Sequence, residues 1–215
     1  MTQAQGSVIT YERFKKGKTF QEYLDSGIRN RDLFLENYEK TILTEEQVAA
    51  LKELAARPDG PDHIVVIGED WCPDVYRGLG VAQRMAEAMG AELRFFERDQ
   101  NKDMMREYLN KGEFESIPVF IFYDRNHREI CHFIERPQIA NEQMDEVRQL
   151  LADASPEALA QKLGREPTEE EVREARAKAR ERYLEWQRTS PTWANWRLAT
   201  VDECIELLRK SLDRS

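Results

Sequence analysis

Apolar positions up to residue 56 recur at helical spacing. Phe20, Tyr23 and Leu24 follow Thr19 and Glu22, which form a capping box, and Ser26-Gly27 closes that helix. Leu33, Phe34, Leu35, Tyr38, Ile42 and Leu43 make a second cluster, and Thr44 with Gln47 opens a further helix carrying Val48, Leu51 and Leu54 on one face. Arg57-Pro58-Asp59-Gly60-Pro61 then breaks the chain. Beyond it the period changes. Ile64 to Ile67 is a continuous apolar run, the pattern of a strand buried on both faces. Val75 to Met89 reads as a helix closed by Gly90, Glu92 to Phe96 as a strand, and Asn101 to Asn110 as a helix closed by Lys111-Gly112. Ile117 to Tyr123 and Arg128 to Glu135 are two strands joined by a turn at Asp124 to His127, and Ala140 to Ala154 is one closing helix.

The predicted fold class is therefore α/β, with a β-α-β-α-β-β-α core, a four-stranded mixed sheet, and helical N- and C-terminal extensions. Strands alternating with helices imply parallel pairs, and the last hairpin adds an antiparallel one. The expected division is 1–60 as the N-terminal extension, 61–154 as the core and 155–215 as a C-terminal extension packed on it. In that extension Val172, Ala175, Ala179, Tyr183 and Trp186 form one stripe, Ser190-Pro191-Thr192 a turn, and Val201, Cys204, Ile205, Leu208 and Leu212 the inner face of a last helix. Trp193 and Trp196 read as packing anchors.

Composition narrows the function. A formal charge of −9 argues against nucleic acid as a partner, and the Arg and Lys residues between Glu169 and Arg188 are matched by Glu. No apolar run reaches the roughly 18 residues a membrane span needs, so no membrane partner is expected. The first residues show neither a basic start nor an apolar stretch, and the expectation is a cytoplasmic protein. Three cysteines and three histidines show no ligand spacing, so neither a metal site nor any other cofactor is expected. Gly78-Leu79-Gly80 begins like a dinucleotide fingerprint, but it lacks the third glycine and falls inside a helix.

The chemistry concentrates at Gly68 to Val75, where the first strand ends and a helix begins. Cys72 falls at the N-cap with its sulfur toward free backbone N–H groups, Pro73 at the first helical position, and Asp74 in the first turn. A thiol so placed is activated. Three acids, Glu69, Asp70 and Asp74, oppose this. A like charge about 8 Å away at an effective dielectric of about 20 disfavours the thiolate by roughly 2 kcal/mol, whereas a helix terminus returns about 0.3–1 kcal/mol, or about 2 when partly buried. Only modest activation is expected, with Arg77 and Arg136 as the cations that could stand beside the thiolate. Pairing the hairpin around Asn126 puts Cys131 near Phe120, in the core, as a poor resolving partner for Cys72. Cys204, on an apolar helix face, also reads as core.

The element order, Trp71-Cys72-Pro73-Asp74-Val75 at the first helix start and Ile117-Pro118 opening the third strand together resemble the thioredoxin superfamily. Residues 19 to 153 resemble its bacterial thioredoxin-like branch, which carries an N-terminal helical extension and a Trp-Cys-x-Asp-Cys type motif. The resemblance implies that Cys72 is the catalytic thiol, that Pro118 follows a cis peptide bond, and that Trp71, Pro73, Asp74, Ile117 and Pro118 face the substrate. Two positions depart from the pattern: Val75 stands where the second cysteine falls, and Val66 where thioredoxins bury an acid. The implied function is a monothiol thiol–disulfide oxidoreductase. Cys72 would form a mixed disulfide with a protein disulfide or protein–thiol adduct, and an external low-molecular-weight thiol would resolve it. The alternative is a redox-inactive thioredoxin-fold binding or assembly module.

Overall fold

The computed structural model describes residues 6–214. They fall into two compact units, 6–136 together with 197–214, and 137–196. The boundary therefore lies at Pro137, and the end of the chain returns to the first unit.

The first unit opens with four helices, α1 (Tyr11–Phe14), α2 (Phe20–Leu24), α3 (Arg31–Lys40) and α4 (Glu45–Ala55). Both predicted capping boxes are formed, Thr19 with Glu22 and Thr44 with Gln47. Next come β1 (Pro61–Gly68), α5 (Pro73–Met89), β2 (Glu92–Glu97), α6 (Lys102–Met105), β3 (Val119–Asp124) and β4 (Glu129–Ile134). The sheet runs β2-β1-β3-β4. In β1, every residue from His63 to Gly68 is buried, as its unbroken apolar run requires.

β1 and β2 are parallel, but β3 is antiparallel to β1, so only one of the expected parallel pairs exists. Glu97 of β2 pairs with Gly68, and Val119 of β3 pairs with Ile67. The chain thus leaves β2 and enters β3 at the same end of the sheet. The predicted helix over 101–110 is only the four-residue α6, too short to carry the chain to the other end. After it, Asn110 turns back to pair with Phe114.

The β3–β4 hairpin also differs in register. Cys131 pairs with Phe122, and Phe120 with Phe133, so Cys131 lies farther from Pro118 than the symmetric pairing implied. The reason is local. His127 adopts a left-handed conformation (φ 57°) in the turn, and the ladder shifts between Phe122 and Tyr123. The exposed edge of β2 is covered from the N-terminal lead-in: Lys18 exchanges backbone hydrogen bonds of 3.0 and 2.7 Å with Phe95.

The second unit holds α7 (Gln138–Glu142), α8 (Met144–Leu151), α9 (Pro156–Leu163) and α10 (Glu169–Thr189). The single helix expected over 140–154 is divided at Gln143, and its last residues form a 3₁₀ turn. The turn expected at 190–192 is only a one-residue break, because Pro191 starts α11 (Pro191–Leu212) directly. Trp186, Trp193 and Trp196 cluster with ring centroids 5.5–5.8 Å apart, and the Trp196 indole donates to Gln143 Oε1 at 2.8 Å. None of the described helices is long and apolar enough to cross a membrane.

The glycine pair in α5 serves packing. A Cβ on Gly78 would lie 2.9 Å from Pro118 Cγ, and one on Gly80 would lie 2.7 Å from the backbone nitrogen of Tyr38 in α3. Backbone cannot swing aside as a side-chain tip can. Gly80→Ala is therefore expected to destabilise the fold by about 1–3 kcal/mol in urea unfolding, despite the better helix propensity of alanine.

Candidate functional site

The end of β1 delivers Cys72 to the N-cap of α5. Its backbone is extended there (φ −86°, ψ 124°), and its carbonyl accepts from the Val75 and Tyr76 N–H groups at 3.0 and 3.1 Å. Pro73 takes the first helical position. The sulfur makes no capping hydrogen bond; Cys72 Sγ donates instead to the Ile117 carbonyl at 3.8 Å. Ile117 precedes Pro118 through a cis peptide bond. The first turn of α5 and the opening of β3 thereby meet at one thiol.

Exposure divides the predicted residues. Trp71 is 45% exposed, with the Arg98 guanidinium 5.4 Å from its ring centroid. Cys72, Pro73 and Asp74 are half-buried, and Ile117 and Pro118 are buried. The Pro118 carbonyl is occupied by the Glu135 N–H at 2.7 Å. Val66 and Val75, at the positions where a buried acid and a second cysteine would fall, are fully buried.

Arg77 and Arg136 converge on Asp74. An Arg77 Nη lies 2.7 Å from Asp74 Oδ1 and an Arg136 Nη lies 2.8 Å from Asp74 Oδ2. Arg136 also pairs with Glu135. Both cations named for the thiolate are thus engaged by the Asp74 carboxylate, although the Arg136 charge still reaches the sulfur. The other acids are engaged too. Asp70 accepts from the Arg29 backbone at 2.8 Å and its guanidinium at 3.1 Å, and Glu69 accepts from the Asp99 N–H at 2.7 Å. Burial pushes the Glu69 carboxyl up.

For Cys72 itself, burial is the largest influence and pushes the thiol above its ordinary value; the Asp74 charge adds to this. The N–H groups of Val75 and Asp74 and the charge of Arg136 act the other way without reversing it. The modest activation expected from helix-start placement is thus outweighed. The remaining thiols offer no help: burial raises Cys131 to about 12 and Cys204 well above the usual thiol range, and all three cysteines are free.

Residues 17–148 match the family model described as Thioredoxin. The chain belongs to the thioredoxin family. Its four-stranded mixed sheet and helices are those of a thioredoxin-like core with helical extensions. No curated protein matches the sequence. Two solved structures share the fold. One is a protein of unknown function from Pseudomonas aeruginosa, 19% identical, covering 82% of this chain and 98% of that one with a TM-score of 0.50. The other is an HIV epitope scaffold, 16% identical, covering 90% of this chain and 98% of that one with a TM-score of 0.51.

Two residues of the site lie outside the sequence reading. Arg29 neutralises Asp70 from the N-terminal lead-in, a contact across 41 positions with no local signal. Glu135 is left-handed (φ 71°) beside Pro118, a conformation unusual for a residue with a Cβ; nothing in the sequence marks it.

Since Asp74 is the charge that opposes the thiolate, Asp74→Asn is expected to lower the Cys72 pKa and speed its alkylation by iodoacetamide at neutral pH. Asp74→Ala is expected to cost about 3–5 kcal/mol of stability in addition, because it leaves the buried Arg77 guanidinium without its carboxylate.

Proposed function

We propose that this thioredoxin-family chain is a binding module in which Cys72 remains a protonated thiol, using the Trp71–Asp74 surface to dock a protein segment. The observation that supports it is the thiol itself: Cys72 Sγ donates to the Ile117 carbonyl from a half-buried position where burial and Asp74 hold the proton on. A thiolate there would face the carbonyl oxygen with no proton between them. Val75 and Val66 agree with this reading, since neither a resolving thiol nor a buried proton carrier is at hand. The exposed Trp71 with Arg98 over its ring offers an aromatic and cationic contact to a partner. Three free cysteines suit a reducing cytoplasm.

Monothiol exchange is the second reading, favoured by the N–H groups of Asp74 and Val75 directed at the sulfur. In it, the Cys72 thiolate would attack one sulfur of a substrate disulfide and expel the other as a thiolate. An external thiol would then attack the mixed disulfide and return Cys72 reduced.

The two separate in a disulfide-reduction assay with a small-thiol regenerating system, run on the wild type, Cys72→Ser and Val75→Cys. Wild type and Cys72→Ser are expected to be equal, and Val75→Cys to gain activity. A wild-type rate about tenfold or more above that of Cys72→Ser would establish monothiol turnover instead.

A further inference from the structure

At the end of β1 remote from Cys72, three hydrogen bonds run in a row. His63 Nδ1 lies 3.1 Å from Asp62 Oδ2, His63 Nε2 lies 2.7 Å from His127 Nδ1, and His127 Nε2 lies 2.6 Å from the Ile9 carbonyl oxygen. The two imidazole planes agree within 3° and their centroids are 5.0 Å apart. An in-plane N–H···N bond gives that geometry, because a ring radius on each side adds to the nitrogen–nitrogen distance. The Tyr123 ring lies parallel to both, 4.4 Å from His127 and 5.4 Å from His63. Both ends of the row are acceptors, a backbone carbonyl and a carboxylate. Three bonds need three ring protons, and two neutral imidazoles carry only two.

We propose that His63 and His127 together hold one additional proton, and that this proton latches the N-terminal segment 7–16 onto the β3–β4 hairpin. His63 is 1% exposed, and burial pushes its pKa down. His127 is less buried and lies flat against Tyr123, a cation–π position, so its ring is the one placed to accept the additional proton. His127 then donates from both nitrogens, to Ile9 and to His63, and His63 donates from Nδ1 to Asp62.

The surroundings fit a single positive charge. From β1 comes Asp62, and from β2 Glu92, the register partner of His63, whose carboxylate is paired with Arg94. In the hairpin, the Asp124 carboxylate is taken up by the Asn126 and Arg128 N–H groups and the Arg128 guanidinium. From α1, Tyr11 is edge-on to both imidazoles with Lys15 over its outer face at 5.1 Å, and Phe14 packs on His63 at 4.5 Å. The segment's other ties contain no imidazole: Ser7 and Val8 to Glu107, and Arg13 to Asp103 and Asn101.

The latched state requires the proton and the released state does not. The latch is therefore complete at low pH and lost as pH rises through the imidazole range, about pH 5 to 8. Without the proton, one of the three bonds sets two lone pairs face to face. The Ile9 bond is the one a released segment can exchange for water.

Imidazole ¹⁵N shifts and amide hydrogen exchange on the full chain test this, at about pH 5 and about pH 8, with exchange rates corrected for their intrinsic pH dependence. At the acidic end, His127 is expected to carry protons on both nitrogens and His63 on Nδ1. At the basic end, the Ile9 to Phe14 amides are expected to exchange about tenfold faster, while β1 and β3 amides are unchanged. In His127→Asn, which tolerates the left-handed turn, protection of that segment is expected to be low at both pH values. Only two ring protons on the pair at acidic pH, or wild-type protection of residues 9–14 that does not change with pH, would overturn the latch.

Discussion

A strand buried on both faces governs this structure. Ile64 to Ile67 lie between β2 and β3 with no solvent on either side, so each face must be covered by another layer. On one face α5 closes in through Gly78 against Pro118 and Phe120. On the other, α1 brings Phe14 onto His63. Phe14 of the lead-in thus helps to cover β1 from that side, and Lys18 closes the β2 edge. The same strand ends at Gly68, which fixes where α5 starts and so where Cys72 is held.

At that start, position and environment pull in opposite directions. A helix N-terminus favours a thiolate by a few tenths to about 2 kcal/mol, but burial and one carboxylate exceed it. Beside burial, the largest influence, stands the Arg77–Asp74–Arg136 clamp. It anchors the first turn of α5 to the end of β4 and engages both cations with a carboxylate, leaving only a minor effect of Arg136 on the sulfur. Asp70 and Glu69, which look equally hostile to ionisation in the sequence, are neutralised or bonded elsewhere. In the proposed binding module, this one-cysteine motif is arranged around a neutral S–H.

The parts legible in the sequence were those with strong local signals. Capping boxes at Thr19 and Thr44, the apolar run of β1, Pro73 behind Cys72 and the Gly90 stop each depend on neighbours within a few residues. What escaped depended on distant partners or on backbone geometry. The direction of β3 followed from a helix that stops after four residues. The place of Cys131 followed from a left-handed His127 and a ladder shift. His63 and His127 have no ligand spacing, and only the fold makes them neighbours, across 64 positions. Arg77 and Arg136 were recognisable as cations near the motif, but not which charge they would meet.

The state of the Cys72 proton can be read directly. Thiolate absorbance near 240 nm, followed against pH as the difference between wild type and Cys72→Ser, isolates this one sulfur from the two buried cysteines. A Cys72 held by burial and Asp74 gives a midpoint above that of a free cysteine, about 8.5. A midpoint below that value would contradict a neutral Cys72 and return the site to thiolate chemistry.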